Sequence, residues 1–172
     1  DGKTYGIPLN SNNLALYYNK TMLKEAGVEV PTDWASLKEA AKKTTKGDVK
    51  GLAISAVKNE SGTFQILPFV WQTGGDLSNY SESGATALAY LRGMIEDGSV
   101  SEAVVNYTQE DARTQFITGK AAMMINGPWE LSTLTKDAEI EWDVAPLPKD
   151  KRAATSMGGE NVVVMNGAKQ SE

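Results

Sequence analysis

The side chains best placed to do chemistry in this chain are aromatic rings, amides and carboxylates, a set suited to recognising a neutral polar molecule. The stretch FITGKAAMMINGPW, Phe116 to Trp129, closes an amphipathic helix, runs one short strand and delivers an indole on a Gly-Pro turn. An indole at a strand's end can stack on the apolar face of a ring while nearby backbone groups bind polar edges, as a saccharide requires. Trp129 equally suits a core position, because Trp is largely buried on average whatever it does. Asn10, Ser11, Asn12 and Asn13 form a polar run between apolar runs, and Gly158 with Gly159 allows torsions that other residues resist. Glu160 follows them, with a carboxylate able to accept paired hydrogen bonds from vicinal hydroxyls. Taken alone, the amide run is an ordinary loop, the glycine pair an ordinary turn, and Glu160 a solvated charge at a strand's end. Phe64, Leu67 and Trp71 share a helical stripe, which suits packing as well as stacking.

Catalysis has little to build on. The sequence holds no His, the commonest general base and transition-metal ligand, and no Cys, so thiolate chemistry and disulfides are excluded. Carboxylates remain, but a glycosidase needs two of them held roughly 5 to 9 Å apart across one bond, and no spacing here argues for that. Nucleophile elbow, phosphate-binding loop, zinc-protease helix and EF-hand patterns are all missing. The segment GGDLSNYSESG is too irregularly spaced for a calcium loop. These observations predict no enzyme, no metal and no cofactor. With 17 basic and 22 acidic residues the net charge is −5, which disfavours nucleic acid or an anionic membrane as partner.

Strands alternate with helices along most of the chain. Leu14, Leu16 and Tyr18 alternate with Ala15 and Tyr17, suiting a strand buried on both faces. Asn19 caps a helix over Lys20 to Ala26 that Gly27 stops, and Thr32 or Asp33 caps a second carrying Trp34, Leu37, Ala40 and Ala41 on one face. A strand is expected at Leu52 to Val57, and a helix from Ser61 to Thr73 that Pro68 would kink unless it lies near the first turn. A loop over DLSNYSESG, a helix from Ala85 to Asp97, and a helix opened by Thr108 and Asp111 as a capping box come next. Strands follow at Ala121 to Ile125, Trp142 to Ala145 and Asn161 to Met165, with a short helix from Trp129 to Leu134. Pro8 demotes any strand in YGIPL to an edge or to an entry segment. Trp34 and Trp142 sit on the apolar stripes of their elements and are assigned to packing. The fold class is α/β, a small sheet flanked by helices on both faces, and the length suits one core.

Five stretches, in order, give the chain a family likeness: YYNKTMLKEAGVEVPTDWASLKEAAKK, FVWQTGGDL, ALAYLRGMIEDGSV, FITGKAAMMINGPW, and VAPLPK followed by MGGENVVV. Together they resemble the bacterial extracellular solute-binding proteins of the maltose-binding type, the sugar receptors of ABC importers. The resemblance implies one lobe of a two-lobed, periplasmic-binding-protein type II-like architecture. Residues 1–14 would be a crossing segment from a first lobe, 15–156 the second lobe, and 157–172 the returning crossing. Members of that family are considerably longer, and the chain opens at DGKTYGIPL without Met or signal peptide, so an excised fragment is expected.

By the same resemblance Trp129 matches the aromatic that stacks on a sugar ring, and Asn12 the polar side chain that hydrogen-bonds hydroxyls from both ends of its amide. Phe64 falls where some relatives place a stacking Tyr, and here either stacks without a hydroxyl or belongs to the core. Trp71 stands where oligosaccharide binders are often aromatic, and Gly158, Gly159 and Glu160 match the returning crossing that meets ligand. The implied function is capture of a mono- or oligosaccharide outside the membrane, in the periplasm or anchored at the cell surface. The implied partners are the ABC permease subunits and the first lobe, without which the lobe is free to pair with a second copy. Sugar alcohols, glycerol phosphate and polyamines are alternative solutes, and a carbohydrate-active enzyme is the alternative of another class.

Overall fold

The computed structural model describes residues 2–169. The outermost positions of the two expected crossing segments, residue 1 and residues 170–172, lie outside the described residues. Four strands form the central sheet: β3 (Ala15–Asn19), β4 (Lys50–Ala53), β5 (Ala121–Asn126) and β6 (Trp142–Ala145). Their order is β4-β5-β3-β6, with β4 parallel to β5 and β3 antiparallel to both β5 and β6. Every residue of β5 is buried, which is why its sequence AAMMIN lacks a polar alternation.

Alternate residues of the strands serve two cores. Leu16, Leu52, Met123 and Ile125 join the larger one, under α2 (Trp34–Thr44), α3 (Glu60–Gln72) and α4 (Tyr80–Glu96). Tyr17, Ala53 and Met124 join the smaller one, with Phe116 of α5 (Gln109–Ile117) and Leu134 of α6 (Leu131–Asp137). Helices therefore cover both faces of the sheet, as the α/β reading requires. α1 (Lys20–Glu25) follows β3 directly, the Asn19 side chain accepting from the Met22 N–H at 3.0 Å and Gly27 turning the chain at φ 64°. Asp33 and Ser36 form the capping box of α2, and Thr108 and Asp111 that of α5.

Several expected boundaries move. β4 starts at Lys50 and ends at Ala53, not at Leu52 to Val57, because Lys50 and Gly51 donate to the carbonyls of Lys120 and Ser99. The expected loop DLSNYSESG is instead a 3-10 turn at Leu77–Asn79, capped by Asp76, that runs into α4 at Tyr80. Small Ser83 and Gly84 are buried there, and Ser83 packs so close to Gly75 that a side chain at Gly75 would overlap it. A 3-10 turn at Glu102–Asn106 gave no sequence signal. The last strand is two residues long rather than five.

That last strand, β8 (Asn161–Val162), pairs antiparallel with β1 (Ile7–Pro8), and β7 (Met157–Gly158) pairs with β2 (Asn12–Asn13). The start and the end of the described chain thus run side by side as two short ladders. Thr155 ties them to the body: its Oγ1 accepts from the Leu14 N–H at 3.1 Å and donates to the Leu14 carbonyl at 3.2 Å.

Candidate functional site

Where the ladders meet the end of β5, a cavity of about 610 Å³ opens, within the range of small-molecule sites. Six of the seven residues singled out from the sequence line it: Asn12, Phe64, Trp129, Gly158, Gly159 and Glu160. Trp71 does not. It sits seven residues beyond Phe64 along α3, roughly 10 Å of helix, and its carbonyl accepts from the Arg152 Nε at 2.6 Å. Its neighbour in the chain, Gln72, accepts from the Trp34 Nε1–H at 2.6 Å. The cavity also gathers Asn10 and Ser11 of the polar run, and Glu60, Gln109 and Pro128, to which the sequence assigned no role. Glu60 and Gln109 open α3 and α5, so the cavity lies against two helix starts, a relation set by tertiary packing.

The indole of Trp129 is held on three sides. Its Nε1–H donates to Asn126 Oδ1 at 3.0 Å. Its six-membered ring lies so near Gly127 that a Cβ there would overlap it. The Phe64 ring stands 6.1 Å away, tilted by 59°. Trp129 nevertheless keeps 38% of its surface exposed, beside the cavity.

Asn126 is itself pinned. Its Nδ2 donates to the Gln109 carbonyl at 3.0 Å and to Glu130 Oε1 at 3.3 Å, and its Oδ1 also accepts from the Gly127 N–H at 3.0 Å. Glu130, 2% exposed, takes a 2.9 Å ion pair from Arg113 Nη1. Burial pushes the Glu130 carboxyl above the ordinary carboxylate range, against the pull of Arg113. Tyr17 donates its hydroxyl to the Gly127 carbonyl at 2.7 Å, and burial, helped by Glu130's charge, pushes that hydroxyl up to about 12, so it stays a donor.

On the opposite side Asn12 faces Gly158 in the β2–β7 ladder. Its Oδ1 is buried with no hydrogen-bond partner among the described residues. A Cβ on Gly158 would come within 2.6 Å of that oxygen and 3.0 Å of the Phe64 ring, so glycine keeps the three groups together. Gly159, at φ 145°, is needed twice, for its torsion and because a Cβ would overlap the Asn10 carbonyl. Asn10 Oδ1 accepts from the Glu160 N–H at 3.2 Å, and the Leu9 N–H donates to the Glu160 carbonyl at 2.8 Å.

Pro68 has a use here. Lacking an N–H, it cannot engage the Phe64 carbonyl four residues earlier in α3. The buried Ser156 hydroxyl takes that carbonyl at 2.6 Å, one residue before β7. The break in the helix ladder thus anchors the β7 side of the cavity to the helix that carries Phe64.

The charges lining the cavity are the exposed carboxylates of Glu60 and Glu160, with no Lys or Arg among the lining residues. Hydroxyl-rich or cationic molecules suit such a lining, and phosphate does not. No group of three or more metal-ligating side chains occurs among the described residues, and no helix there is long and apolar enough to cross a membrane.

Comparison with known proteins bears on this arrangement. The family model for bacterial extracellular solute-binding proteins matches residues 1–172. A binding protein of Brucella abortus is 31% identical over 185 residues, covering all of this chain and 45% of the relative. The maltooligosaccharide ABC transporter solute-binding lipoprotein of Streptococcus pneumoniae is 30% identical over 197 residues, covering all of this chain and 43% of that protein. Among solved structures, maltose-bound MalE3 of T. maritima superposes with a TM-score of 0.88 at 28% identity, covering 96% of this chain and 46% of that one. The chain therefore spans less than half the length of these relatives.

Proposed function

The chain belongs to the bacterial extracellular solute-binding proteins, and on that premise we propose that it supplies one wall of a carbohydrate-binding cleft in a receptor for an ABC importer. Trp129 stacks on a sugar ring, Asn12 and the Gly158–Glu160 segment bind hydroxyls, and Phe64 adds apolar contact. The single observation that carries this reading is the convergence of those residues, from four separate parts of the chain, on one cavity free of cations. Sugar-binding relatives support it: similar proteins are named for maltooligosaccharide and maltodextrin, and a similar structure holds maltose.

In this reading residues 15–156 form one lobe, and residues 1–14 and 157–172 are the crossings to a first lobe that bears the opposite wall. Hinged closure of two lobes then encloses the solute. The receptor works outside the membrane, at the cell surface or in the periplasm, and passes the intact sugar to permease subunits without a chemical step.

Titration calorimetry of maltotriose into the full-length receptor tests the proposal. The expected result is micromolar binding that Trp129→Ala weakens roughly 30-fold, about 2 kcal/mol of lost ring contact. Unchanged affinity in that variant sinks the assignment. A second reading, a polyamine receptor, is favoured by Glu60 and Glu160; saturable heat from spermidine with none from any saccharide would establish it instead.

A further inference from the structure

We propose that Asn126, locked by Glu130 and Arg113, is the positioning residue that fixes the indole of Trp129 in the plane needed to receive a sugar ring. The inference rests on the carbohydrate reading of the cavity and adds residues that touch no ligand. Asn126 is fully buried, and among the described residues its Oδ1 is the acceptor of the Trp129 Nε1–H. An amide ending a strand has two orientations, differing in whether carbonyl or amino group meets the indole. Only the observed one works, because the indole N–H needs an acceptor.

The remaining contacts enforce that orientation. Two acceptors, the Gln109 carbonyl and Glu130 Oε1, claim the amino group, and the Gly127 N–H claims the same oxygen that the indole uses. Glu130 keeps its place through Arg113, whose guanidinium reaches it from α5. Three elements thereby converge on one side-chain amide: the α5 start and the Glu130 carboxylate take its amino group, and the turn after β5 donates to its oxygen. The consequence is a pre-set ring. A free indole on an exposed turn would lose rotamer freedom on binding, whereas this one has lost it on folding.

The test uses the full-length receptor with maltotriose as probe and indole N–H exchange read by NMR, the Trp129 signal being identified by its loss in Trp129→Phe. Asn126→Ala is expected to speed Trp129 Nε1–H exchange about tenfold and weaken maltotriose binding about tenfold, the scale of one buried hydrogen bond. The Trp34 indole, held by Gln72 at 2.6 Å, serves as internal control and keeps its exchange rate. In the Trp129→Phe background, which has no indole N–H, Asn126→Ala is expected to cause no further loss of affinity. A general structural role predicts the same loss in both backgrounds, and that result overturns the proposal, as does unchanged exchange in folded Asn126→Ala. If Asn126→Ala does not fold, Glu130→Gln loosens the amide without opening a cavity. About threefold faster Trp129 exchange then supports the proposal, and an unchanged rate overturns it. Should Trp129→Ala leave maltotriose affinity intact, the carbohydrate reading fails, while the exchange results still decide whether Asn126 holds the ring.

Discussion

Trp34 and Trp129 are held by the same device in different surroundings. Each donates its indole N–H to a side-chain amide oxygen, Gln72 at 2.6 Å and Asn126 at 3.0 Å. Trp34 is then closed in by rings: Tyr90 stacks on it at 4.3 Å and 22°, and Phe69 lies at 5.7 Å, leaving 8% of it exposed. Trp129 has one aromatic neighbour, Phe64, at 6.1 Å, with Gly127 beneath its ring and the cavity beside it. A pinned indole with its contacts complete is core. A pinned indole with a contact left open is, on the proposed reading, the wall a sugar ring meets, its ordering cost already met in folding.

That contrast predicts opposite effects of the same substitution. Trp34→Ala is expected to lower the unfolding free energy by about 3 to 5 kcal/mol, read as a fall in urea midpoint, because it empties a packed site and orphans Gln72. Trp129→Ala is expected to move the midpoint little and to fall instead on affinity. Equal losses of stability from the two would erase the distinction. Next in size, Gly127→Ala places a methyl where the indole ring lies and is expected to cost about 1 to 2 kcal/mol, divided between stability and maltotriose affinity. Full affinity in that variant would mean that the ring's position does not matter. Ser156→Ala leaves the Phe64 carbonyl without its partner, at about 1 kcal/mol of stability, and Pro68→Ala in the same chain restores a backbone donor and recovers part of it.

The smallest effects are those of pH, and they carry opposite signs in cap and cleft. The backbone N–H and hydroxyl of Ser36 hold the Asp33 carboxyl below the usual range, and the Thr108 N–H and hydroxyl do the same for Asp111. Their contribution is complete above the unfolded value near about 4 and is lost as pH falls through the lower folded value. Glu130 is raised by burial, so its ionisation costs stability as pH rises from about 4.3 through its folded value. Melting temperature against pH should therefore lose part of its acid limb in Asp33→Asn. It should lose part of a decline on the neutral side in Glu130→Gln.

What was legible in the sequence was local. The caps at Asn19, Asp33 and Thr108 use side chains within three residues of the groups they bind, and strand β5 shows itself as an apolar run between a helix end and a Gly-Pro turn. The position of Trp129 at a strand's end followed from the same run. What stayed hidden depends on partners distant in sequence. The first turn of α4 reads as loop because Ser83 is small where it meets Gly75, eight residues away, and Gly84 is small where the Tyr80 ring lies against it. Pro68 reads as a defect until Ser156 is seen to use the carbonyl it frees. Trp71 shares Phe64's helical stripe yet lies too far along α3 to share its cavity, and Glu60, Gln109 and Asn126 reach the site or its support only through folding.

The most direct test of the central claim is an NMR titration of the 172-residue chain with maltotriose, following the indole N–H signals of Trp34 and Trp129 and the backbone signals of Asn12, Gly158 and Gly159. One wall of a cleft should bind weakly, so the Trp129, Asn12 and glycine signals are expected to move together, with half-saturation in the millimolar range, while Trp34 stays still. Shifts that leave Trp129 and the two ladders untouched would contradict the site, and micromolar half-saturation would contradict the claim that the opposite wall belongs to another lobe.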